Sequence, residues 1–118
     1  MRILEGSDTE LEFHITENEY TDGVLTNETD KDLAQYDKVI LSIKFFDGIV
    51  DYEGVVQQDT SHVIFTLLSE DTKNRCGKIQ AELWGVKNDN IQKNRLNETT
   101  IEGEVLHSFK IPVWTVSD

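Results

Sequence analysis

Cysteine and proline are almost absent from this sequence of 118 residues, which contains one of each. A single thiol, at Cys76, excludes an intrachain disulfide and is typical of a protein kept in a reducing compartment. Pro112 has no backbone N–H to donate to a strand ladder, so it predicts an edge strand or a bend near that position. The fold must therefore be stabilised by its hydrophobic core.

Long apolar runs are also lacking. No stretch approaches the about 20 apolar residues of a membrane helix, and no apolar run of signal-peptide length opens the chain. We therefore expect a soluble protein that is made in the cytoplasm and has no membrane partner. A chain of this length can bury roughly two thirds of its unfolded surface in one core. Residues 1–118 are accordingly predicted to form a single domain.

Basic side chains are scarce, with 11 against 23 acidic ones, which gives a net charge of −12. Residues 1–37 contain eleven acids and two bases, hence −9, whereas residues 38–118 contain twelve acids and nine bases, hence −3. Such a field repels nucleic acid and anionic membranes and favours basic partners, and it also promotes solubility. We therefore expect no nucleic-acid partner.

The strongest structural signal is an alternation of apolar and polar residues over residues 38–56. An Asp47-Gly48 pair divides this stretch and predicts a β-hairpin with a two-residue type I′ turn, which requires positive φ at both central residues. Gly54 is predicted to mark a bulge in the second strand. One face of the first strand is predicted to be buried, and it consists of Val39, Leu41, Ile43 and Phe45.

The rest of the chain predicts further strands with no helix longer than two turns. Residues 17–37 are the least regular part, a connection long enough to hold a binding loop, with a turn at Asp22-Gly23. One helical turn is predicted at residues 30–36, with Asp30 as its cap and Leu33 facing the core. About seven short strands in all indicate an all-β sandwich. The other strands are predicted within residues 1–16, 62–68, 78–87, 91–96 and 105–116.

No residue pattern predicts a catalytic or metal site. Cys76 lies in a polar turn beside Arg75, which is expected to lower the pKa of the thiol, but the histidines are scattered over three predicted strands. The acidic residues at positions 8, 10 and 12 share one strand face and are interpreted as a solvated face rather than a cation site. We therefore assign no catalytic, cofactor-binding or metal-binding residue and expect a non-enzymatic protein without a cofactor.

Large apolar residues on the faces opposite the predicted core indicate a surface that another chain covers. We predict that this surface is an interface, and that the protein is a homo-oligomer or binds a partner through it. The predicted interface residues are Phe46, Ile64, Trp84 and Trp114.

The order of these features resembles a known family. Gly6-Ser7-Asp8-Thr9 precedes an alternating strand, YDKVILSIKFFDG follows a turn with Leu33, and VIFTL and KIQAELWGV provide later strands. This pattern is similar to the N-terminal domain of bacteriophage upper baseplate proteins and related prophage tail modules. The resemblance implies an immunoglobulin-like antiparallel β-sandwich that is a structural or adaptor component of the virion, with other tail or baseplate proteins as its partners.

Two alternatives remain open at this point. A carbohydrate-binding module would use exposed aromatic rings to stack on sugars, and its candidates are Trp84, Trp114 and Tyr52. A small acidic inhibitor would mimic nucleic acid and bind a basic enzyme in a salt-sensitive way. Its candidate residues are Glu10, Glu12, Glu17 and Glu19.

Overall fold

Strands make up most of the chain in the computed structural model, which describes residues 1–87 and 92–107. A single-turn 3-10 helix at Leu33–Gln35 and a short helix, α1, at Ser69–Thr72 are the helical segments of this part. The all-β prediction is confirmed, but the described residues form eleven strands rather than seven. They are β1 (Arg2–Leu4), β2 (Thr9–His14), β3 (Thr16–Thr21), β4 (Val24–Asp30), β5 (Lys38–Phe45), β6 (Gly48–Glu53), β7 (Val55–Val56), β8 (His62–Leu67), β9 (Gly77–Lys87), β10 (Gln92–Arg95) and β11 (Ile101–Leu106).

The strands form three sheets. A six-stranded sheet has the order β1-β11-β9-β5-β6, with β10 paired to the second half of β9, and a three-stranded sheet has the order β2-β8-β7. The third sheet is the β3–β4 hairpin alone. The expectation of purely antiparallel pairing is wrong for β1 and β11, which pair in parallel. Parallel neighbours need a long connection, and here nearly the whole chain lies between them.

The two larger sheets share one hydrophobic core. The predicted inner face of β5 is buried, since Leu41 and Ile43 are fully buried and Phe45 is only 2% exposed. Period-two alternation on β9 extends this apolar face within the same sheet, and alternation on β8 supplies the residues that face it from the three-stranded sheet. The core that these strands contribute consists of Val39, Leu41, Ile43, Phe45, Val63, Phe65, Leu67, Ile79, Ala81 and Leu83.

The hairpin between β5 and β6 turns one residue earlier than predicted. Phe45 pairs with Gly48, so the loop residues are Phe46 and Asp47, and neither has a positive φ. Burial of Phe45 sets this register, because a shift by one residue would move every side chain of the strand to the opposite face. The type I′ geometry occurs instead at Asp22 and Gly23, with φ of 54° and 79°.

Gly54 marks a change of sheet rather than the predicted bulge. The chain leaves the six-stranded sheet at the end of β6 and enters the three-stranded sheet as β7. The Gly54 amide donates to the Val39 carbonyl across 2.9 Å, which holds the crossing close to the core. A Cβ at this position would come within 2.7 Å of the Phe65 ring and would also collide with Val63.

The predicted helical turn is present, with a different cap. Leu33 is fully buried as predicted, and its amide donates to the Thr60 carbonyl. The Asp32 carboxylate, rather than that of Asp30, accepts the capping bond from the Ala34 amide at 3.0 Å. Asp30 is instead the last residue of β4, because the preceding stretch continues the hairpin.

Predictions for residues 88–91 and 108–118, including Pro112 and Trp114, lie outside the described residues. Among the helices of the part that the structure describes, none has the length and apolar character needed to cross a bilayer.

Candidate functional site

The predicted interface residues do not form one surface. Phe46 lies in the β5–β6 loop and is 74% exposed, whereas Trp84 is partly buried on the outer face of the six-stranded sheet, opposite Ile40. Six residues of strand separate Ile40 from Phe46, which corresponds to about 20 Å. Ile64 belongs to the other large sheet, where it pairs with Glu12. Of the four residues, the structure describes these three and brings no two of them together.

Tyr52 and Trp84 lie on opposite faces of their sheet. Tyr52 pairs with the buried Leu41 on the core side, while Trp84 shares the outer face with Ile40. The Tyr52 hydroxyl is buried without a hydrogen-bond partner among the described residues, and this burial raises the pKa of Tyr52 to about 12. The two rings therefore form no common stacking platform for a sugar.

Most side chains of the β3–β4 hairpin, which we call the arm, are exposed to solvent. All seven residues of β4 are exposed, and β3 is exposed at every second position and at its end. The arm is paired with no other strand of the described chain, so both of its edges are free. Most of the arm lies within residues 17–37, where the sequence predicted a turn at Asp22-Gly23 but no strands, because neither strand has an apolar face.

The arm is uniformly acidic and ends in an apolar tip. Residues 16–30 contain five carboxylates and no lysine or arginine. Next to its turn, Tyr20 pairs with Leu25 and Thr21 pairs with Val24. The exposed fractions are 53% for Tyr20, 64% for Val24 and 49% for Leu25. The arm thus carries negative charge along its length and exposed apolar side chains next to its turn. The carboxylates belong to Glu17, Glu19, Asp22, Glu28 and Asp30.

Specific contacts fasten the base of the arm to the sandwich. Ile15, between β2 and β3, is 5% exposed, and its carbonyl accepts from the Lys31 amide at 3.0 Å. The His14 Nε2 atom lies 2.7 Å from the Asp30 carboxylate, and the His14 ring stacks on that of His62 at 4.3 Å. The arm is therefore anchored at its base, which sets the direction in which it leaves the core.

One contact along the arm joins it to the β10–β11 connection. The Tyr20 hydroxyl donates to a Glu98 carboxylate oxygen at 2.9 Å. This hydrogen bond is the largest cause of the raised pKa of Tyr20, because ionisation would place the phenolate next to the negative charge of Glu98. The bond steadies the tip end of the arm without covering its apolar side chains.

A second cluster brings together three residues that the sequence did not connect. The Cys76 thiol donates to a Glu5 carboxylate oxygen at 2.9 Å and lies 3.2 Å from the Nδ1 atom of His107. The other Glu5 oxygen is 3.9 Å from the same nitrogen. Within the residues that the structure describes, this is the one group of three metal-ligating side chains that lie close together.

The expected lowering of the Cys76 pKa is wrong. The hydrogen bond to Glu5 raises the pKa of Cys76 to about 11, because ionisation would place two negative charges side by side. Arg75 does not offset this effect, since its guanidinium contacts Asp47 at 3.2 Å and covers the Phe45 ring. Cys76 is therefore a protonated thiol at neutral pH rather than an activated nucleophile.

Substitution of the neighbouring carboxylate tests this environment. In the presence of a chelator at about pH 7.5, Glu5→Gln is expected to increase the rate of Cys76 alkylation by iodoacetamide about tenfold. Loss of the Glu5 charge lowers the pKa of Cys76, so a larger fraction of the thiol is ionised. This gain outweighs the lower nucleophilicity of a thiolate whose pKa is lower. Glu104→Gln, which removes an exposed carboxylate of β11, should leave the rate unchanged. Equal rates for wild type and Glu5→Gln would show that Glu5 does not control the thiol.

Comparison with known proteins adds no relative. No protein-family model matches the chain, and a search of curated proteins finds no match either.

Proposed function

We propose that this protein is a non-enzymatic interaction module whose acidic arm docks on a basic surface of a partner protein. The observation that carries this proposal is the arm itself, which has five carboxylates, no basic residue and an exposed apolar tip. A fold gains no core from such an element, so its composition is better explained by binding than by stability.

The arm offers two kinds of binding energy. Its carboxylates attract a positively charged surface over several ångströms and accelerate association, an effect that salt weakens. Tyr20, Val24 and Leu25 can then lose water in a pocket of the partner, and tyrosine is among the residues that contribute most at interfaces. The free edges of β3 and β4 can also accept an added strand.

The resemblance of the strand pattern to upper baseplate and prophage tail modules supplies the setting. In this proposal the chain is an immunoglobulin-like structural or adaptor component of a phage or prophage tail, and the basic partner is another tail or baseplate protein. Such assemblies are built from repeated copies, which agrees with the expectation of a homo-oligomer.

Pairwise binding to purified products of the neighbouring genes tests the proposal. Wild type is expected to bind at least one of them, with an affinity that falls as salt increases. The combined substitution Val24→Ser and Leu25→Ser should weaken that binding by at least about tenfold, because it removes the apolar anchor. The matched control is Ile49→Ser with Val55→Ser, since these two residues are each 67% exposed outside the arm.

Two results would contradict the proposal. One is that no neighbouring product binds, and the other is that the tip variant and its control bind equally well. An acidic inhibitor that mimics nucleic acid would give a different pattern. Its binding would depend on the carboxylates and would be competed by nucleic acid, but it would tolerate loss of the apolar tip.

A further inference from the structure

The topology places Glu5, Cys76 and His107 at the same end of three neighbouring strands. In the sheet order β1-β11-β9, Leu4 pairs with Leu106 and Gly77 pairs with Val105. The three residues follow or precede these pairs directly, so each leaves its strand at the same level. The Glu5 amide also donates to the Leu106 carbonyl at 2.8 Å, which extends the parallel ladder to this point.

The spacing of the side-chain atoms suits a tetrahedral ion. Bonds of about 2.0 to 2.3 Å from zinc to oxygen, nitrogen and sulfur place the ligand atoms about 3.3 to 3.6 Å from one another. The Cys76 sulfur lies 2.9 Å from one Glu5 oxygen and 3.2 Å from the His107 Nδ1 atom, and the other Glu5 oxygen lies 3.9 Å from that nitrogen. One ligand atom from each of the three residues lies within 4.8 Å of the others, so rotation of the side chains can bring one Glu5 oxygen, the sulfur and the nitrogen to tetrahedral distances around an ion.

We propose that Glu5, Cys76 and His107 bind a zinc ion, with water in the fourth position. Thiolate, imidazole and carboxylate are the three ligand types that zinc takes in proteins. Binding displaces the Cys76 proton to solvent, so the thiolate and the carboxylate together neutralise the charge of the ion. The His107 side chain is 85% exposed, which leaves the site open to metal from solution.

The ion would fasten an otherwise weak edge of the sheet. β1 has three residues and lies at the end of the six-stranded sheet, where β11 is its one neighbour among the strands of the described residues. A bond from Glu5 to an ion that Cys76 and His107 also hold connects β1 to both β11 and the start of β9. Metal binding is therefore expected to stabilise the folded chain.

A titration of tag-free, reduced protein with zinc and with cobalt tests the site. We expect one zinc per chain by chelator competition, and a cobalt complex with the absorption of a thiolate ligand and of tetrahedral geometry. Cys76→Ser and His107→Ala should each weaken zinc binding by at least roughly 30-fold. His14→Ala, which removes another exposed histidine, should change it by less than about threefold.

Three results would overturn the zinc site: no metal binding at micromolar concentration, equal zinc affinity for Cys76→Ser and wild type, or a cobalt complex without the thiolate band. Circular dichroism of each variant establishes that it is folded, so a loss of binding reports on the ligand. A variant without the arm should bind zinc like wild type, because the arm contributes none of the three ligands. The zinc site and the proposed function can therefore fail separately.

Discussion

Alanine at position 54 is expected to lower the free energy of unfolding by about 3 kcal/mol, the upper part of the range for overpacking a core. The added methyl group would lie 2.7 Å from the Phe65 ring and would collide with Val63, and both of these residues are fully buried. The backbone cannot retreat easily, because the Gly54 amide bonds to the Val39 carbonyl. Denaturant unfolding of wild type and Gly54→Ala measures the difference.

Two further variants separate the collision from backbone conformation. Gly23→Ala places a side chain at φ 79° where nothing lies within 4 Å, so it should cost only about 1 kcal/mol. Val63→Ala removes one of the colliding groups, so it should cost less in the Gly54→Ala protein than in wild type. Additive effects of Gly54→Ala and Val63→Ala would contradict the packing described at this crossing between the sheets.

Truncation of the arm is expected to abolish partner binding, with a loss of at least roughly 100-fold in affinity, while the sandwich stays folded. Glu17 and Thr29 are directly paired, so a two-residue Asn-Gly turn can replace residues 18–28 and keep the contact of Glu17 with Lys31. The deleted residues of β4 are exposed, so the unfolding free energy should change by no more than about 1 kcal/mol.

The control for this truncation is the intact chain with Ile49→Ser and Val55→Ser, which changes exposed apolar residues and leaves the arm in place. It should bind like wild type in the same calorimetric titration. A truncated chain that is folded and still binds with wild-type affinity would place the binding surface elsewhere on the molecule.

Local sequence patterns predicted the strands that line the core. Alternation is a direct consequence of strand geometry, so Leu41, Ile43 and Phe45 could be assigned to the buried face without knowledge of their partners. Local patterns gave the wrong turn where tertiary packing sets the register of the hairpin. An Asp-Gly pair occurs at two places, and only the pair at Asp22 and Gly23 forms the predicted turn, because burial of Phe45 sets the other hairpin.

The arm and the group formed by Glu5, Cys76 and His107 could not be predicted from the sequence, for different reasons. The arm has no apolar face, so hydrophobic periodicity could not reveal its strands, although the Asp22-Gly23 turn was visible. Glu5 and Cys76 are 71 positions apart, and Cys76 and His107 are 31 apart. Their proximity depends on the parallel pairing of β1 with β11, which no local pattern encodes.

Hydrogen exchange of the protein, free and in complex with its partner, tests most directly whether the arm is the binding element. Neither edge of the arm pairs with another strand of the described chain, and all residues of β4 are exposed. We expect slower exchange in residues 17–29 on complex formation and little change around Ile64 and Trp84. Protection confined to those two residues and their strands, with the arm exchanging as it does in the free protein, would show that the arm is not the binding element.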